Sequence, residues 1–271
     1  MNPVERFLQD FHQRHPGTTP LVFSALELPG RGSSYDILAS TLHSTASSKS
    51  QLLDLGCGDG FLLDLLARKF PQAQLFGIDM SPTELKAARI RLGQTGTLLN
   101  ERAQELSLSD DSIDATVSHL SLMLMSDIEK VLQEVHRILV SGGQFSAIVG
   151  REFLLGELGP CYLRAFRNAA HRDRLPTLPL VDPRTHTQSG WRRLLEDHFT
   201  SLQFEELNLE WTPDFDELWE SLAYTYDLDR LTPTSQTLMK NELHSATQPL
   251  LRADGTLVTG WGLLLIQAKA K

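Results

Sequence analysis

A glycine-rich turn between two apolar segments constrains this chain more than any other feature of its sequence. Gln51–Leu55 is predicted to be a short strand, and Phe61–Phe70 a helix with leucines clustered on one side. Between them, glycines stand at Gly56, Gly58 and Gly60. A glycine turn that leads from a strand of a parallel sheet to a helix N-terminus lets a ligand approach the backbone closely. The turn therefore predicts a nucleotide-like ligand at the carboxyl end of the strand.

The spacing of these glycines separates two classes of ligand. Dinucleotide-binding turns have the pattern G-x-G-x-x-G, in which the third glycine follows the first by five positions. Here the fifth residue after Gly56 is Phe61, and the glycines form G-x-G-x-G instead. Asp54 precedes the first glycine by two positions. The spacing disfavours an NAD-dependent oxidoreductase.

Strand and helix patterns alternate regularly along the middle of the chain. Further strands are predicted at Gln74–Asp79, Thr97–Glu101, Ile113–Leu120 and Gln144–Val149. Ser81 to Glu84 and Ser126 to Glu129 both have the capping-box pattern of a helix start, and Gly142-Gly143 is predicted to end the second of these helices. Alternation with such apolar strands predicts an α/β fold with a doubly wound, mostly parallel sheet covered by helices on both faces.

The pattern changes after Gly150. Arg151–Ser189 is predicted to be a long helical or irregular insertion, after which a helix and a strand resume the alternation. Two more helical stretches, Asp214–Tyr224 and Thr234–Leu251, precede a closing strand. The turn signal before that strand indicates an antiparallel partner in the sheet. A short polar link, His43–Ser50, lies ahead of the first strand.

Composition excludes several classes of protein. The chain has 271 residues, 41% of them apolar, which is enough for a proper core. No apolar run approaches the ~18 residues of a membrane span, and the N-terminus does not have the pattern of a secretory signal. The two cysteines, Cys57 and Cys161, lie far apart without metal-type spacing, so we expect no metal, no disulfide framework and a cytoplasmic location. A net charge of −9 disfavours nucleic acid as a partner.

Four segments together resemble the motifs of a known family. They are LLDLGCGDG, LFGIDMSP, RAQELSLSDDSIDATVSHLSLML and ILVSGGQF, in this order within Gln51–Val149. The chain resembles the class I S-adenosylmethionine-dependent methyltransferases, in particular the subgroup that contains ubiquinone-biosynthesis, trans-aconitate and natural-product methyltransferases. The resemblance implies a seven-stranded Rossmann-like sheet with a helical cap. It also implies S-adenosyl-L-methionine as cofactor and methyl transfer to a small molecule.

The resemblance further implies which residues contact the cofactor. Gly56 and Gly58 would leave room for its methionine part, and Asp54 would accept a hydrogen bond from its ammonium group. Asp79 would accept two hydrogen bonds from the ribose hydroxyls, and Met80 would pack on the adenine face.

Five more positions complete the predicted cofactor site. The family commonly places an acid and a small residue at the adenine edge, where this chain has Arg102 and Ala103. Arg102 departs from that pattern, whereas the Ala103 amide can still serve. His119 follows the fourth strand near the methionine end, Tyr35 belongs to a short helix that closes over the cofactor, and Cys57 is a small residue inside the turn. Ordinary packing is the alternative interpretation for His119 and Tyr35.

The sequence does not single out a catalytic residue. The sulfonium of the cofactor already activates the methyl group, so the protein mainly aligns the acceptor and excludes water. A base is needed only if the acceptor loses a proton. His119 is the first candidate for such a base, followed by His12 and His15, and a structural or solvent-exposed histidine is the alternative for each.

Charge is distributed unevenly in the second half of the chain. Arg151–Arg193 contains eight arginines and four acids, whereas Glu205–Asp229 contains nine acids and neither Lys nor Arg. The arginines fit an anionic acceptor such as a carboxylate, and aromatic residues of the same region fit a ring-containing one. The alternative is that the two oppositely charged segments face each other or water.

Four regions follow from this interpretation: a helical lid at residues 1–50, the S-adenosylmethionine-binding core at 51–150, a helical cap insertion at 151–189, and the C-terminal part of the core with additional cap helices at 190–271. Two other functions stay open. One is a cofactor-binding protein without methyl transfer, and the other is a methyltransferase that acts on a macromolecule. The oligomeric state, monomer or homodimer, is open as well.

Overall fold

The computed structural model of the chain describes residues 2–42 and 50–271. Except for Ser50, the polar link predicted at His43–Ser50 lies outside this range. The strands are β1 (Glu27–Leu28), β2 (Gly32–Ser33), β3 (Gln51–Leu55), β4 (Gln74–Asp79), β5 (Thr97–Asn100), β6 (Ile113–His119), β7 (Leu139–Glu152), β8 (Phe199–Trp211) and β9 (Thr259–Ala270). The helices are α1 (Pro3–Arg14), α2 (Thr18–Phe23), α3 (Ser34–Ser40), α4 (Phe61–Lys69), α5 (Pro82–Leu92), α6 (Ile128–Ile138), α7 (Leu158–Arg172), α8 (Gln188–Leu195), α9 (Phe215–Leu222), α10 (Tyr226–Asp229) and α11 (Pro233–Thr247). None of these helices is long and apolar enough to cross a membrane.

Seven strands form one sheet in the order β5-β4-β3-β6-β7-β9-β8. β3 pairs in parallel with both β4 and β6, and the outward pairs β4–β5 and β6–β7 are parallel too. The last two strands run antiparallel, because the Lys271 amide donates to the His198 carbonyl while Gly260 lies against Leu209. The doubly wound, mostly parallel sheet predicted from the sequence is therefore confirmed.

The order of the strands places the glycine turn at the topological centre of the sheet. β3 is flanked by β4, the next strand in the chain, and by β6, the third strand after it. The chain therefore runs to one side of β3 through β4 and β5 and crosses to its other side at β6. Ligands of open α/β sheets bind in the crevice formed at such a reversal.

Helix α6 shows why these elements pack as they do. Val131, Leu132, Val135 and Ile138 recur at three- and four-residue spacing, and all four are fully buried in the main apolar cluster. Period 3–4 is that of one helix face, so the sequence pattern and the buried stripe coincide. Phe145, on β7, belongs to the same cluster.

The chain divides into two compact units. The first comprises Met1–Arg151, Pro179–Leu207 and Leu263–Lys271, and the second comprises Glu152–Leu178 and Asn208–Gly262. Within the second unit, α7 packs on α11. The carboxylate of Asp173 accepts hydrogen bonds from the amide and hydroxyl of Thr232, the residue that caps α11. The four regions predicted from the sequence stay a prediction.

One boundary differs from the sequence-based expectation. Gly142-Gly143 was expected to end α6, but the helix ends at Ile138 and the strand β7 begins directly after it. The two glycines instead lie where the pairing of β7 with β6 shifts register. Gly142 has φ +75°, a conformation that a bulge requires and that glycine adopts without cost.

We expect Leu132→Ala to lower the free energy of unfolding by roughly 2–5 kcal/mol, because it removes fully buried methyl groups and leaves a cavity. Gln133→Ala is the matched control, since Gln133 follows Leu132 in the same helix and is exposed. It should change stability by less than about 0.5 kcal/mol. Denaturant unfolding measures both values, and equal losses would contradict the assigned helix face.

Candidate functional site

The glycine turn is bound tightly to the neighbouring strand. The amides of Gly56 and Cys57 both donate to the carbonyl of Ile78 in β4, at 2.8 and 3.0 Å. Gly56 has φ +75°, and a Cβ atom there would lie 2.3 Å from the hydroxyl oxygen of Ser121. No other residue type fits such a close approach at a positive φ. The turn thus forms a closely fitted surface between β4 and the segment that follows β6.

Asp79, the last residue of β4, meets this turn from the side. Its carboxylate accepts hydrogen bonds from the amide of Gly58 at 2.9 Å and from the amide of Ser81 at 2.8 Å. Burial raises the pKa of Asp79, and the two amide donors counteract that rise in part. A carboxylate offers about four acceptor positions, so two remain for a ligand.

Asp54 is a second carboxylate beneath the turn. Its side chain is 1% exposed, and its Oδ2 atom accepts no hydrogen bond from the residues that the structure describes. Burial, and then the charges of Asp79 and Asp59, raise the pKa of Asp54 well above its ordinary value. A buried acid without a partner is costly, and a cationic group placed beside it would relieve that cost.

A cleft opens beside the turn at the carboxyl ends of β3, β4, β5 and β6. It is lined by Glu5, Leu8, His12, Leu55, Gly56, Ile78, Asp79, Met80, Glu101, Arg102, Ala103, Gln104, Ser121, Leu124, Met125 and Ser126. Of the ten residues predicted to bind the cofactor, five lie in this lining: Gly56, Asp79, Met80, Arg102 and Ala103. Of the candidate bases, His12 is part of it.

Helix α1 supplies a wall of the cleft, and Glu5 is a residue of that wall on which the sequence-based prediction was silent. Glu5 is buried and binds the guanidinium of Arg102 and the hydroxyl of Ser126. Burial raises the pKa of Glu5, but the hydrogen bonds from Ser126 and Arg102 outweigh it and leave the pKa below its ordinary value. The unexpected arginine at position 102 was the one available signal, because a basic residue in the place of an acid requires an acid elsewhere.

The two predicted capping boxes are used differently from what their pattern indicates. Ser81 does cap α5, but the carboxylate of Glu84 accepts from His12 Nδ1 at 2.8 Å and from the Gly17 amide. The cap of α6 is Asp127, which makes no side-chain hydrogen bond to the helix. The hydroxyl of Ser126 donates to Glu5 in α1 instead, so Glu84 and Ser126 both bind the N-terminal segment, while Ser81 alone keeps its capping role.

His119 lies in a separate buried cluster. Its Nε2 atom is 2.9 Å from the Ser34 hydroxyl, and its ring stacks on that of Tyr35 at a centroid distance of 3.7 Å. Its Nδ1 atom has no hydrogen-bond partner among the described residues. Burial lowers the pKa of His119 to about 3, so the imidazole is neutral at physiological pH. Its role as a cofactor contact or a base stays a prediction.

The other predicted residues have mainly structural surroundings. Cys57 is buried against Gly77, and burial raises the pKa of its thiol well above the ordinary value. A protonated thiol is not a nucleophile. His15 stacks against Phe11 at 5.1 Å and does not appear in the lining of the cleft. Gly58 contacts the cleft through the hydrogen bond of its amide to Asp79.

Two of the arginines in Arg151–Arg193 have acidic partners. Arg151 lies 3.7 Å from Glu206, in the acidic segment, and Arg184 binds both Asp182 and Glu129. Only the first of these contacts joins the two charged segments, because Asp182 lies within Arg151–Arg193 and Glu129 lies outside both segments. Other arginines of the segment are exposed: Arg164, Arg167, Arg172, Arg174, Arg192 and Arg193.

Comparison with known proteins finds a matching family for part of the chain. Residues 53–147 match the family described as a methyltransferase domain. The chain is 30% identical over 144 residues to a malonyl-[acyl-carrier protein] O-methyltransferase of Laribacter hongkongensis, covering 49% of this chain and 46% of the relative. It is 27% identical over 154 residues to a trans-aconitate 2-methyltransferase of Methylobacterium radiotolerans, covering 48% and 58%. The chain thus spans about half the length of the curated relatives it matches.

Solved structures support the same fold. A phosphoethanolamine N-methyltransferase 2 of Haemonchus contortus superposes with a TM-score of 0.61 at 15% identity, covering 99% of this chain and 60% of that one. The YcgJ protein of Bacillus subtilis superposes with a TM-score of 0.59 at 19% identity, covering 87% and 97%. At these identities the likeness shows the fold alone.

Residues 53–147 therefore match a methyltransferase domain, and the resemblance to the class I S-adenosylmethionine-dependent methyltransferases found in the sequence is confirmed. The cofactor of this class is S-adenosyl-L-methionine. The residues present fit this molecule: Asp79 has acceptor positions beyond those that Gly58 and Ser81 occupy, which suit ribose hydroxyls, and Gly56 leaves room where any side chain would strike Ser121. The individual contacts stay predictions.

We expect Gly56→Val to abolish binding of S-adenosylhomocysteine while circular dichroism shows a folded chain, because the new side chain meets Ser121. Gly142→Val is the matched control. Gly142 has the same φ of +75° but nothing within 4 Å of the position that a Cβ atom would take, so it carries the backbone strain of roughly 1–2 kcal/mol without the clash. Calorimetric titration of both variants with S-adenosylhomocysteine measures whether each of them binds the ligand. Binding that survives in Gly56→Val would show that the turn does not hold the ligand.

We expect His119→Gln to weaken the pH dependence of stability. Because the folded-state pKa is depressed to about 3, the unfolded chain takes up a proton near pH 6.5 that the folded chain does not. The stability contribution is complete above that pH and is lost as pH falls, by about 2 kcal/mol between pH 7 and pH 5. Denaturant unfolding at a series of pH values gives the free energy of unfolding of wild type and variant. The difference between the two removes the contribution of the other titratable groups. The same pH dependence of the free energy of unfolding in both proteins would contradict a buried, neutral His119.

Proposed function

We propose that this chain transfers the methyl group of S-adenosylmethionine to a small molecule that carries a carboxylate. The observation that carries the proposal is the cleft inside the methyltransferase domain, where the close fit of Gly56 and the carboxylate of Asp79 lie on adjacent strand ends. A neutral glycine surface beside an acid suits a nucleoside ligand that bears hydroxyl groups and a cationic amino-acid tail.

Each residue has a definite task in this proposal. Asp54 holds the ammonium group, and the backbone at Gly56 and Gly58 approaches the ligand closely. Asp79 accepts hydrogen bonds from the ribose hydroxyls with the two acceptor positions that Gly58 and Ser81 leave open. Met80 packs against the adenine face.

When bound, the cofactor supplies a methyl group on a positively charged sulfur. The chain's contribution is to hold that end of the cleft in place and to keep water out. Helix α1 serves the second purpose, because Glu5, Leu8 and His12 close one side of the cleft. Leu124 and Met125 add apolar surface to the lining.

A carboxylate acceptor fits a site in which His119, the first candidate base, is neutral and has a low pKa. A carboxylate is ionised at neutral pH and needs no base, so the low pKa of His119 does not obstruct the reaction. The names of two relatives, a malonyl-[acyl-carrier protein] O-methyltransferase and a trans-aconitate 2-methyltransferase, describe enzymes of acidic acceptors. The exposed arginines of the inserted segment offer an attractive potential for such molecules.

The decisive experiment measures formation of S-adenosylhomocysteine with trans-aconitate and with a malonyl thioester. Their fully esterified methyl esters, in which no free carboxylate is left, are the matched controls. Product with the acids and none with the esters supports the proposal. Binding of S-adenosylmethionine in calorimetry without turnover of either acid would contradict the proposal and favour a cofactor-binding role without methyl transfer.

We expect Asp79→Ala to weaken binding of S-adenosylmethionine by about 1–3 kcal/mol, the usual cost of removing a buried hydrogen-bonding partner. Asp110→Ala is the control, because Asp110 is 73% exposed and pairs only at the surface, with Arg137. Isothermal titration calorimetry of both variants gives the comparison. Unchanged affinity in Asp79→Ala would refute the ribose assignment.

A further inference from the structure

A second cavity, of about 240 Å³, lies at the carboxyl end of β7. Gly150 and Arg151 of β7 form one side of it, and Glu206 of β8 forms another. His186, at the end of the short 3₁₀ helix Pro183–His186, and Gln188, the first residue of α8, line it as well. All of these residues belong to the first of the two compact units.

This cavity and the cleft beside the glycine turn are neighbours at one edge of the sheet. β6 and β7 are adjacent parallel strands, so their carboxyl ends lie side by side. A Cβ atom on Gly150 would lie 3.7 Å from the Cε atom of Met123. Leu124 and Met125, which follow Met123 in the chain, line the cleft. The segment after β6 therefore borders both the cleft and the cavity.

The basic residues that line the cleft already bind acids. The guanidinium of Arg102 binds Glu5, and the ring of His12 lies 2.8 Å from the carboxylate of Glu84. Asp79 is a further acid in the lining. Because like charges placed side by side cost free energy, a carboxylate in the cleft needs a cation from outside the cleft.

Arg151 supplies such a cation in the cavity at β7. Its Nε atom lies 3.7 Å from Oε2 of Glu206, a distance too long for a hydrogen bond. The side chain of Glu206 is 62% exposed and that of Arg151 is 23% exposed. An ion pair with an exposed partner contributes little stability, so a ligand can displace Glu206 at small cost. A carboxylate bound to a guanidinium by two parallel hydrogen bonds gains more than this ion pair.

The separation of the two sites limits which acceptors reach both. The glycine turn follows β3, Arg151 ends β7, and β6 lies between these two strands. Adjacent strands lie about 4.8 Å apart, so the two strand ends are on the order of 10 Å apart. A carboxylate beside the glycine turn is therefore not the one that Arg151 binds. An acceptor with two carboxylates can place one at each site.

We propose that Arg151 binds a second carboxylate of the acceptor in place of Glu206, so that the site selects dicarboxylates over monocarboxylates. This inference rests on the proposed function, in which one carboxylate of the acceptor receives the methyl group. Arg151 fixes the far end of the acceptor and does not touch the reacting atoms. Glu206 competes with the acceptor for the guanidinium, which makes it a determinant of the affinity for the acceptor.

The first experiment compares glutarate and valerate as acceptors for the full chain, by formation of S-adenosylhomocysteine. Both have a five-carbon chain, and valerate has a methyl group in place of one carboxylate. We expect kcat/KM to be at least about ten-fold higher for glutarate, because a charge-assisted pair of hydrogen bonds is lost with valerate. Equal values for the two acids, or turnover of valerate alone, overturn the proposal.

Two substitutions of opposite effect assign the preference to the ion pair. We expect Arg151→Met to raise the KM for glutarate about ten-fold or more, with kcat and the affinity for S-adenosylhomocysteine unchanged. Glu206→Gln should lower the KM for glutarate about two- to five-fold, because it removes the competing carboxylate. Its exposed position makes a folding defect no obstacle to this second measurement.

Arg193→Met is the matched control, because Arg193 is an exposed arginine of the same segment that does not line the cavity. It should leave the KM for glutarate unchanged. An equal rise in KM with Arg193→Met would show a diffuse effect of charge and overturn the assignment to Arg151. Equal losses with glutarate and valerate in Arg151→Met would indicate a structural role and overturn it too.

The remaining outcomes separate this inference from the proposed function. Turnover of a malonyl thioester, which has one free carboxylate, without any preference for glutarate over valerate leaves the proposed function intact and overturns the inference alone. If no carboxylate acceptor is methylated, the proposed function fails and the inference with it.

Discussion

The contact between the glycine turn and the end of β4 is the constraint on which the rest of the site depends. Gly56 and Cys57 donate to Ile78, and the Gly58 amide donates to Asp79, so the turn is fixed to the neighbouring strand by its own backbone. On the other side a Cβ atom at Gly56 would strike Ser121. The cleft depends on this close fit, because a side chain at Gly56 would occupy the space beside Ser121.

Buried acids are concentrated around this turn, and their surroundings differ in a way that suits different ligand groups. Two amide donors counteract part of the rise that burial causes in the pKa of Asp79, whereas Asp54 has an oxygen without a hydrogen-bond partner among the described residues and a strongly raised pKa. Glu5 is stabilised as an anion by Ser126 and Arg102. Near the glycine turn, Asp54 and Asp79 have carboxylate oxygens that can still accept hydrogen bonds. Near α1, the carboxylate of Glu5 is already bound by Ser126 and Arg102.

Sequence reasoning located the turn, Asp79 and the parallel sheet because each is encoded locally. Glycine spacing, strand hydrophobicity and an acid at a strand end are all visible within a few residues. It missed Glu5, because its role depends on Ser126, which is distant from Glu5 by 121 positions in the chain. It also assigned Glu84 to a capping box, although His12 and Gly17 bind that carboxylate.

The sequence by itself determined the fold class, the ligand class and the place of the turn, since periodicity and glycine spacing are properties of short segments. Only the tertiary structure decided which side chains face the cleft. Arg102 is an example: its sequence position marks a departure from the family, and only the approach of α1 shows that Glu5 is its partner. Local patterns specify backbone conformation, whereas the pairing of buried polar groups depends on segments that meet only when the chain has folded.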